Sequence, residues 1–482
     1  MNAQITKLFA VIVVLYAALF GFTSYWTIFD AESLEDNVAN RRPLLEEQRI
    51  PRGEILAFDE ETVIARSDPK GSGDDKIYVR TYPKGSTYGN PIGYSFVERG
   101  RVGTELEHND ELVGEKTEFL SIFDQLTGVS QEGSTLVSSI DADAQQAAID
   151  ALGDQRGSVV AFVPSTGEIR AMVSIPSYDP NEIVDPKTFA ELNADENAPL
   201  LNRATQAGYQ PGSTMKVVTA TAAIDSGEFE PDDTVSGQSP KEISGAPLEN
   251  AGGESFGEIP LTEALTNSVN TVWAEVAEDL GKDTMFEYME RFGFNQKPRL
   301  DYPSFQLATS GVFDGAKLLN ADDSIDIGRV AIGQERLNVT PLQMAQVAAA
   351  VANGGELMEP RLWSKVIDSD GREETLEPER QSRVMSEETA ETLNEMMQDV
   401  VSEGTGTAGA LSGISVAGKT GTAEIDIENE INQAWFIGFA PADDPQIAVA
   451  ATVERTSGQG GTVAAPIAKA VMEALLGEEA DG

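Results

Sequence analysis

The first strong feature of the hydrophobic pattern is an uncharged, mostly apolar run from Leu8 to Phe29. As a helix this run would be about 33 Å long, enough to cross a hydrocarbon core of about 30 Å. Lys7 precedes the run and acidic residues follow it, which places residues 1–7 in the cytoplasm and the rest of the chain outside. We expect an uncleaved single-pass anchor over residues 8–29. The alternative, a cleaved signal peptide, is disfavoured because the run is long and no small-residue cleavage motif follows it.

Residues 30–133 are rich in charge and glycine and contain short strand-like runs, such as Arg49–Phe58 and Lys76–Tyr82. No group of side chains in this part forms a catalytic constellation. We therefore predict a small, β-rich, non-catalytic stalk or dimerisation-like domain here. The stretch Ser130–Ser134 has the composition of a linker.

The pattern changes from Thr135 onward. Helical periodicity predicts helices at Asp141–Leu152, Met215–Ile224, Thr262–Asp279, Met285–Phe292, Pro341–Ala352, Glu387–Val401 and Ala464–Leu476. Strand patterns predict strands at Ser158–Val163, Ile169–Ser174, Ile414–Ala423, Ala434–Ala440 and Gln446–Glu454. Strands at both ends with helices between them predict an α/β (α+β) domain over residues 134–477. Its core is a roughly five-stranded antiparallel sheet covered by helices. An acidic tail, residues 478–482, follows it.

Composition and charge exclude several classes of function. The chain has 34 basic and 80 acidic residues, a formal net charge of −46, so we expect no nucleic-acid partner. The charge is typical either of acidic loops that aid solubility or of a saline environment that screens repulsion. The absence of cysteine and the single histidine, His108, exclude disulfides, cysteine nucleophiles and Cys/His zinc sites. Any general base is therefore expected to be Lys, Asp or Glu.

Ser213-Thr214-Met215-Lys216 is the first candidate for chemistry, because it opens a predicted apolar helix. A serine at a helix N-terminus lies where the macrodipole favours negative charge, and a lysine three residues later shares its face. Burial or a nearby cation can make that lysine neutral and basic. Ser67-Asp68-Pro69-Lys70 has the same spacing, but Pro69 argues against a helix there. Gly404, Gly406 and Gly409 match a dinucleotide fingerprint but follow a helix, so we interpret them as a turn.

Two further motifs follow, and the order of all three along the chain argues against a chance match. Ser268-Val269-Asn270 lies between helical stretches, and Lys419-Thr420-Gly421-Thr422 lies on a predicted strand. Ser268 can relay a proton and Asn270 can hold a peptide amide. Lys419 supplies a cation near the base and an anionic substrate end, and Gly421 lets substrate lie close to the strand. Together these are the parts that acyl transfer without histidine needs.

The order of the three motifs resembles the active-site set of penicillin-binding proteins and serine β-lactamases. Over nearly its whole length the chain resembles a class B penicillin-binding protein, a monofunctional peptidoglycan transpeptidase. The supporting stretches are Arg52–Ile55, Gly103–Glu107, Gly157–Asn181, Asn202–Ala204, Tyr209–Gly212 and Trp435–Pro441.

The resemblance implies a D,D-transpeptidase that cross-links stem peptides through a Ser213 acyl-enzyme and is acylated by β-lactams. It implies Lys216 as base and Ser268 as proton shuttle. The oxyanion hole would be the backbone N–H groups of Ser213 and Thr422. The resemblance makes Asn270, Lys419, Thr420, Gly421 and Thr422 substrate-binding residues. It implies no metal or organic cofactor, and as partner a polytopic membrane glycosyltransferase of the elongation or division machinery.

Two other classes stay open as alternatives. One is a hydrolase, either a D,D-carboxypeptidase or a β-lactamase. It is disfavoured because Val269 stands where class A β-lactamases carry Asp, and because no Glu-x-x-Leu-Asn element follows; Glu335–Asn338 is one residue short. The other is a β-lactam sensor or inactive scaffold, against which the intact motifs argue. The roughly hundred residues after the anchor are too few for an additional glycosyltransferase domain.

Overall fold

A computed structural model describes residues 2–26, 41–114, 131–426 and 428–477 of the chain. The end of the predicted span (27–29), the start of the predicted stalk domain (30–40) and the acidic tail lie outside the described residues. So does Ser130, the first residue of the predicted linker. The described helices are α1 Asn2–Ser24, α2 Arg42–Glu47, α3 Gly89–Ile92, α4 Thr104–Glu107, α5 Asn109–Val113, α6 Ala142–Leu152, α7 Pro186–Ala194, α8 Arg203–Gln206, α9 Lys216–Asp225, α10 Leu261–Thr266, α11 Asn270–Arg291, α12 Ile327–Ala331, α13 Pro341–Ala352, α14 Glu387–Ser402 and α15 Ala465–Gly477.

The strands fall into one five-stranded sheet, one six-stranded sheet and several short pairs. They are β1 Ile55–Leu56, β2 Val63–Lys70, β3 Ile77–Thr81, β4 Tyr94–Phe96, β5 Gly100–Val102, β6 Thr135–Ser138, β7 Gly157–Phe162, β8 Ile169–Ile175, β9 Thr234–Ser236, β10 Lys241–Ile243, β11 Ala246–Leu248, β12 Glu258–Pro260, β13 Gly311–Asp314, β14 Lys317–Leu318, β15 Leu337–Asn338, β16 Glu356–Met358, β17 Trp363–Ile367, β18 Glu373–Thr375, β19 Arg380–Arg383, β20 Ala417–Asp426, β21 Ile431–Ala440 and β22 Ile447–Thr456.

The N-terminal apolar run forms a helix, as predicted. The segment Gln4–Ser24 of α1 is long and apolar enough to cross a membrane, and an 18-residue window within it has a mean hydropathy of 2.2. Its large apolar side chains, Phe9 and Phe20 among them, are exposed and contact no other part of the described protein extensively. Length and composition therefore fit a single membrane anchor.

The five-stranded antiparallel sheet has the order β20-β21-β22-β7-β8 and confirms the predicted core. Alternate residues on β22 face opposite sides, as the period of two requires. Ala448 and Ala450 pack towards α13, whereas Val449 and Ala451 pack towards α6 and α15. The sheet is thus covered by helices on both faces, and β20 lies at its edge.

The six-stranded sheet has the order β18-β17-β6-β1-β2-β3 and joins strands from both sides of residue 134. Strand β6 pairs in parallel with β1 and antiparallel with β17. The division predicted between residues 133 and 134 therefore coincides with the start of a strand that both parts share. The predicted domain limits themselves stay a prediction.

The stretches Arg52–Ile55 and Gly103–Glu107, which lie far apart in the N-terminal part of the chain, meet in a buried network of ion pairs. Arg52 Nε donates to Glu105 at 2.7 Å and Arg80 Nε donates to its other carboxylate oxygen at 2.6 Å. Burial opposes the charge on Glu105, but Arg80 and Arg52 lower the pKa of that carboxyl to about 2. Gly53 has no room for a side chain, because a Cβ would lie 1.8 Å from the Ser134 carbonyl oxygen.

One predicted helix is wrong in a way that matters for the site. The apolar pattern over Thr262–Asp279 is continuous in sequence, but the chain forms α10, leaves the helical conformation at Ser268 and restarts as α11. Ser268 has a φ of +59°, a left-handed conformation that is uncommon outside glycine and asparagine. The predicted helix Met285–Phe292 is the second part of α11, which bends at Gly281 where φ is +78°.

Two smaller differences concern element limits. Ser213 lies in a 3-10 turn, Gly212–Met215, and the α-helix begins only at Lys216. The predicted strand Ile414–Ala423 runs instead over β20, so it begins at Ala417 and continues to Asp426. The motif Lys419–Thr422 therefore lies near the middle of the strand, not at its end.

The excess of carboxylates predicts a salt-dependent stability. With 80 acidic against 34 basic residues, pairing every base would still leave 46 carboxylates without a cation. Salt shortens the Debye length from about 10 Å at 0.1 M to about 3 Å at 1 M, which screens their mutual repulsion. We expect the Tm of the full-length protein to rise between low and molar NaCl in calorimetry. A flat or falling Tm would contradict a destabilising surface repulsion.

Candidate active site

The Ser213 turn is pressed against the edge strand β20. Gly212 has a φ of +53°, and a Cβ on it would lie 2.8 Å from the Thr422 carbonyl carbon. On the opposite side, a Cβ on Gly421 would lie 2.6 Å from the Pro211 carbonyl oxygen. Glycine at both positions lets the two backbones touch. The structure thus gives Gly421 a close approach to the Ser213 turn, and its role in letting substrate lie close to the strand stays a prediction.

Lys216 opens α9 and its amino group is fully buried among oxygen atoms. Its Nζ lies 2.9 Å from Ser213 Oγ, and it donates to the Ser268 carbonyl at 2.7 Å and to Asn270 Oδ1 at 2.7 Å. Ser268 Oγ is slightly farther, at 3.2 Å. Burial, with a smaller contribution from the charge of Lys419, holds the pKa of Lys216 well below its usual range.

Lys419, on β20, also contacts the Ser268 side chain. Its Nζ donates to Ser268 Oγ at 2.9 Å and to the Thr420 carbonyl at 2.9 Å. Burial lowers the pKa of Lys419 to about 7. The Ser268 hydroxyl therefore lies between two amino groups, and each of these amino groups has a lowered pKa.

Asn270 is the first residue of α11 and turns its side chain back towards Lys216. Its Oδ1 accepts from Lys216, and its Nδ2 donates to the Glu249 carbonyl at 3.2 Å. The unusual φ of Ser268 makes this meeting possible, because it reverses the chain between α10 and α11. Strained backbone of this kind concentrates at functional sites.

The two threonines of the β20 motif have partners that the sequence did not reveal. Thr420 Oγ1 lies 2.6 Å from Thr405 Oγ1, and Thr422 Oγ1 accepts from the Gly460 N–H at 3.1 Å. Thr405 belongs to the glycine-rich stretch that we interpreted as a turn, and the described turn indeed follows α14. A hydroxyl-bearing residue between two glycines, Gly404 and Gly406, was the sequence feature that could have indicated the contact of Thr405 with Thr420.

The second Ser-x-x-Lys spacing, Ser67 to Lys70, does not form a comparable pair. Both residues lie on β2, where positions three apart point to opposite faces. Ser67 Oγ accepts instead from Arg80 at 3.4 Å. Of the two spacings, only Ser213 and Lys216 bring a hydroxyl and an amine together.

A buried ionic cluster behind the site holds the chain that leads to Ser213. Glu454 on β22 accepts from Arg203 Nε at 2.7 Å, pairs with Arg156 at 2.7 Å and accepts from the Tyr209 hydroxyl. Trp435 Nε1 donates to the Gln210 carbonyl at 2.9 Å. Sequence reasoning missed Glu454, because no local pattern links it to Tyr209, which lies 245 residues earlier.

Metal binding has no evident place in the described part of the chain. Within residues 2–26, 41–114, 131–426 and 428–477, no group of three or more His, Cys, Asp or Glu side chains is placed to hold an ion. The polar atoms around Ser213 come from lysine, serine, threonine and asparagine.

Two family models match the chain. That of the penicillin-binding protein transpeptidase domain matches residues 157–473, and that of the penicillin-binding protein A dimerisation domain matches residues 52–136. The chain belongs to the penicillin-binding protein family. Its three motifs, Ser213–Lys216, Ser268–Asn270 and Lys419–Gly421, lie inside the first matched range.

Similar proteins share this architecture along nearly their full length. The peptidoglycan D,D-transpeptidase PbpA of Mycolicibacterium smegmatis is 36% identical over 99% of this chain and 100% of its own. PbpA of Mycobacterium tuberculosis is 34% identical over 99% of each chain. Among solved structures, the penicillin G acyl-enzyme complex of M. tuberculosis penicillin-binding protein A has a TM-score of 0.78. It is 32% identical and covers 89% of this chain and 100% of that one.

A transpeptidase domain from Eggerthella lenta gives the same structural result. It has a TM-score of 0.78 and 30% identity, covering 89% of this penicillin-binding protein and 99% of that chain. The mixed α/β fold and the family resemblance predicted from the sequence are thereby confirmed.

Removing the charge of Glu454 tests the cluster behind the site. Arg203 is almost fully buried, so Glu454→Gln leaves a buried guanidinium without its ionic partner. We expect the free energy of unfolding to fall by about 3 kcal/mol, the cost typical of breaking a buried pair. The matched control is Glu191→Gln, which breaks an exposed pair with Lys187 and should change little. Equal denaturation midpoints for the two variants would contradict a structural role for Glu454.

Proposed function

We propose that the protein is a peptidoglycan D,D-transpeptidase that joins stem peptides through an acyl-enzyme on Ser213 and is acylated there by β-lactams. The observation that carries the proposal is the buried Lys216 amine 2.9 Å from Ser213 Oγ. The names of the relatives, and the β-lactam acyl-enzymes of a solved neighbour, support the same activity.

The surroundings of Lys216 suit a neutral amine with its lone pair on Ser213. The Ser268 carbonyl and Asn270 Oδ1 can only accept, and each lies 2.7 Å from Nζ. A neutral amine has two N–H groups, and these two contacts use both of them. Its lone pair is then available to the Ser213 hydroxyl, so Lys216 can take the proton as Ser213 attacks.

Attack by Ser213 Oγ on the carbonyl of the penultimate D-alanine forms a C–O bond and a tetrahedral oxyanion. The backbone N–H groups of Ser213 and Thr422 are the proposed donors to that oxygen. Their proximity follows from the contact of the Gly212 turn with β20. When the C–N bond breaks, terminal D-alanine leaves and its nitrogen takes a proton.

Ser268 is the proposed route for that proton, because its hydroxyl lies between the two lysine amines. The proton taken by Lys216 can pass through Ser268 to the leaving nitrogen, and Lys419 stabilises the intervening negative charge. Lys419, Thr420 and Thr422 are proposed to bind the substrate or β-lactam carboxylate. Asn270 is proposed to bind the peptide amide. Gly421 is proposed to let substrate lie close to β20, and it also lies against the Ser213 turn.

The acyl-enzyme is resolved when the amine of a second stem attacks the Ser213 ester and the serine recovers its proton. Every step uses side chains and backbone groups of this chain alone, with no metal or organic cofactor. A β-lactam follows the same first step, since its strained amide replaces the D-alanyl peptide bond.

For the cellular setting we propose a single-pass membrane protein with a cytoplasmic N-terminus and an extracytoplasmic catalytic domain. Lys7 lies in the second turn of helix α1, just before its uncharged apolar part, and a positive charge at this end supports that topology. N-terminal sequencing tests it, since a mature start near residue 30 would contradict the anchor. A polytopic membrane glycosyltransferase is the proposed partner, and its co-purification with the intact membrane protein would test that.

Labelling with a fluorescent penicillin tests the assignment of Ser213. Wild-type full-length protein is expected to form a covalent adduct, and Ser213→Ala to form none, because the hydroxyl that attacks the β-lactam is then missing. Ser67→Ala, which removes the serine of the second Ser-x-x-Lys spacing, is the matched control and should label fully. Mass spectrometry that placed the adduct on a different serine would contradict the mechanism.

The fall of the acylation rate at low pH, which is the acid limb of its pH profile, reports the pKa of Lys216. Acylation needs neutral Lys216, so the rate falls as pH drops through that pKa. The positive charge of Lys419 helps to lower it. Lys419→Met removes that repulsion, so the pKa of Lys216 should rise and the acid limb should move to higher pH.

The measurement is the second-order rate of penicillin acylation as a function of pH, with each profile normalised to its own maximum. Lys469→Met, which removes a partly exposed lysine paired with Glu473 on α15, is the control and should leave the limb in place. A Lys419→Met profile that coincided with wild type, or moved to lower pH, would contradict the role given to Lys419.

A further inference from the structure

The amide of Asn270 has a fixed orientation that depends on the carbonyl group of Glu249. Its Oδ1 faces the Lys216 amine and its Nδ2 faces the Glu249 oxygen. Rotating the amide by 180° would place donor against donor and acceptor against acceptor. One N–H group of Nδ2 is therefore used by Glu249, and the second one remains for a substrate carbonyl.

The peptide that provides this carbonyl is anchored by the side chain of Asn250. Asn250 is 5% exposed, and its Nδ2 donates to the carbonyls of Gly237 at 3.1 Å and Glu254 at 2.9 Å. Its backbone N–H donates to Ser239 Oγ at 3.0 Å. All hydrogen atoms of the amide are thus committed, which leaves the Glu249–Asn250 peptide little freedom to move.

The same side chain also caps the helix that carries Asn270. Helix α11 starts after Val269, which is buried and has no polar atom to cap it. The Thr271 N–H, one of the first-turn donors that a helix cannot satisfy itself, donates to Asn250 Oδ1 at 2.9 Å. A side chain 21 residues away thus supplies the missing cap.

We propose that Asn250 is a positioning residue for substrate recognition, which fixes the Asn270 amide so that its free N–H points at the acyl-side amide of the donor substrate. The inference rests on the proposed function of the site. Asn250 reaches Asn270 by two routes, through the Glu249 carbonyl and through the capped first turn of α11. Loss of its side chain frees both, while the contacts of Lys216 with Ser213, with the Ser268 carbonyl and with Asn270 Oδ1 do not involve Asn250.

Two β-lactams that differ at one group separate positioning from general damage. Benzylpenicillin carries an acylamino group that can accept from Asn270, whereas 6-aminopenicillanic acid carries an amine there. For Asn250→Ala in the full-length protein, we expect the second-order acylation rate to fall about tenfold with benzylpenicillin, the factor of one ordinary hydrogen bond. With 6-aminopenicillanic acid we expect a change below about twofold.

Asn90→Ala is the matched control. Asn90 is 4% exposed and donates to Ser174 and Ser177 far from Ser213, so its loss should lower Tm without changing the ratio of the two rates. Adding Asn250→Ala to the Asn270→Ala variant should leave the ratio of the two rates as it is in Asn270→Ala alone, since Asn250 acts only through Asn270. If Asn250→Ala does not fold, Asn250→Ser, whose hydroxyl can both donate and accept, is measured in the same way.

An equal fall for both β-lactams, no fall for either, or a further loss of selectivity in the double variant would overturn the proposal. These outcomes are distinct from failure of the proposed function itself. In that case wild-type protein would not be acylated at Ser213 by either compound.

Discussion

The buried amine of Lys216 is the constraint on which the rest of the site depends. Taking an ammonium group out of water is costly, so burial favours the neutral amine. The surrounding acceptors then decide where the lone pair points. The two acceptors come from the reversal at Ser268 and the start of α11, and the hydroxyl that faces the lone pair comes from the Ser213 turn. The fold must bring these elements together and keep water away from them.

The edge position of β20 in the sheet helps to bring together the groups around Lys216 and Ser213. An edge strand leaves one row of backbone groups unpaired by the sheet, and here that side meets the Ser213 turn. The close fit of Gly212 and Gly421 ties the position of the serine to the strand that carries Lys419. Behind them, Glu454 and Trp435 hold the approach to the turn from two other strands of the same sheet. The rigid sheet therefore fixes the distances among groups that are far apart in sequence.

The sequence predicted the parts of the site but not their mutual contacts. The five strands of the core sheet and the helices α6, α13 and α14 follow from local hydrophobic periodicity, which is why they were predicted near their observed limits. Ser268–Asn270 was placed between helical stretches, but one continuous helix was still predicted over Thr262–Asp279 because apolar residues continue at helical spacing, so the reversal of the chain at Ser268 was missed. Glu454 and Asn250 have no local signature, since each acts through a contact with another segment of the chain. Such contacts depend on tertiary packing, which spacing along the chain does not encode.

The fate of the acyl-enzyme separates a transpeptidase, which transfers the acyl group to an amine, from a hydrolase. An incoming stem brings its own binding energy, whereas water brings none and needs a group that activates it on the open side of the ester. The groups around Ser213 that we describe are engaged with one another and with the serine. The measurement is the decay of a fluorescent penicilloyl adduct on wild-type protein after excess drug is removed. We expect an adduct that persists for many minutes. Loss within seconds, with steady turnover of a chromogenic β-lactam, would contradict this expectation and identify a hydrolase.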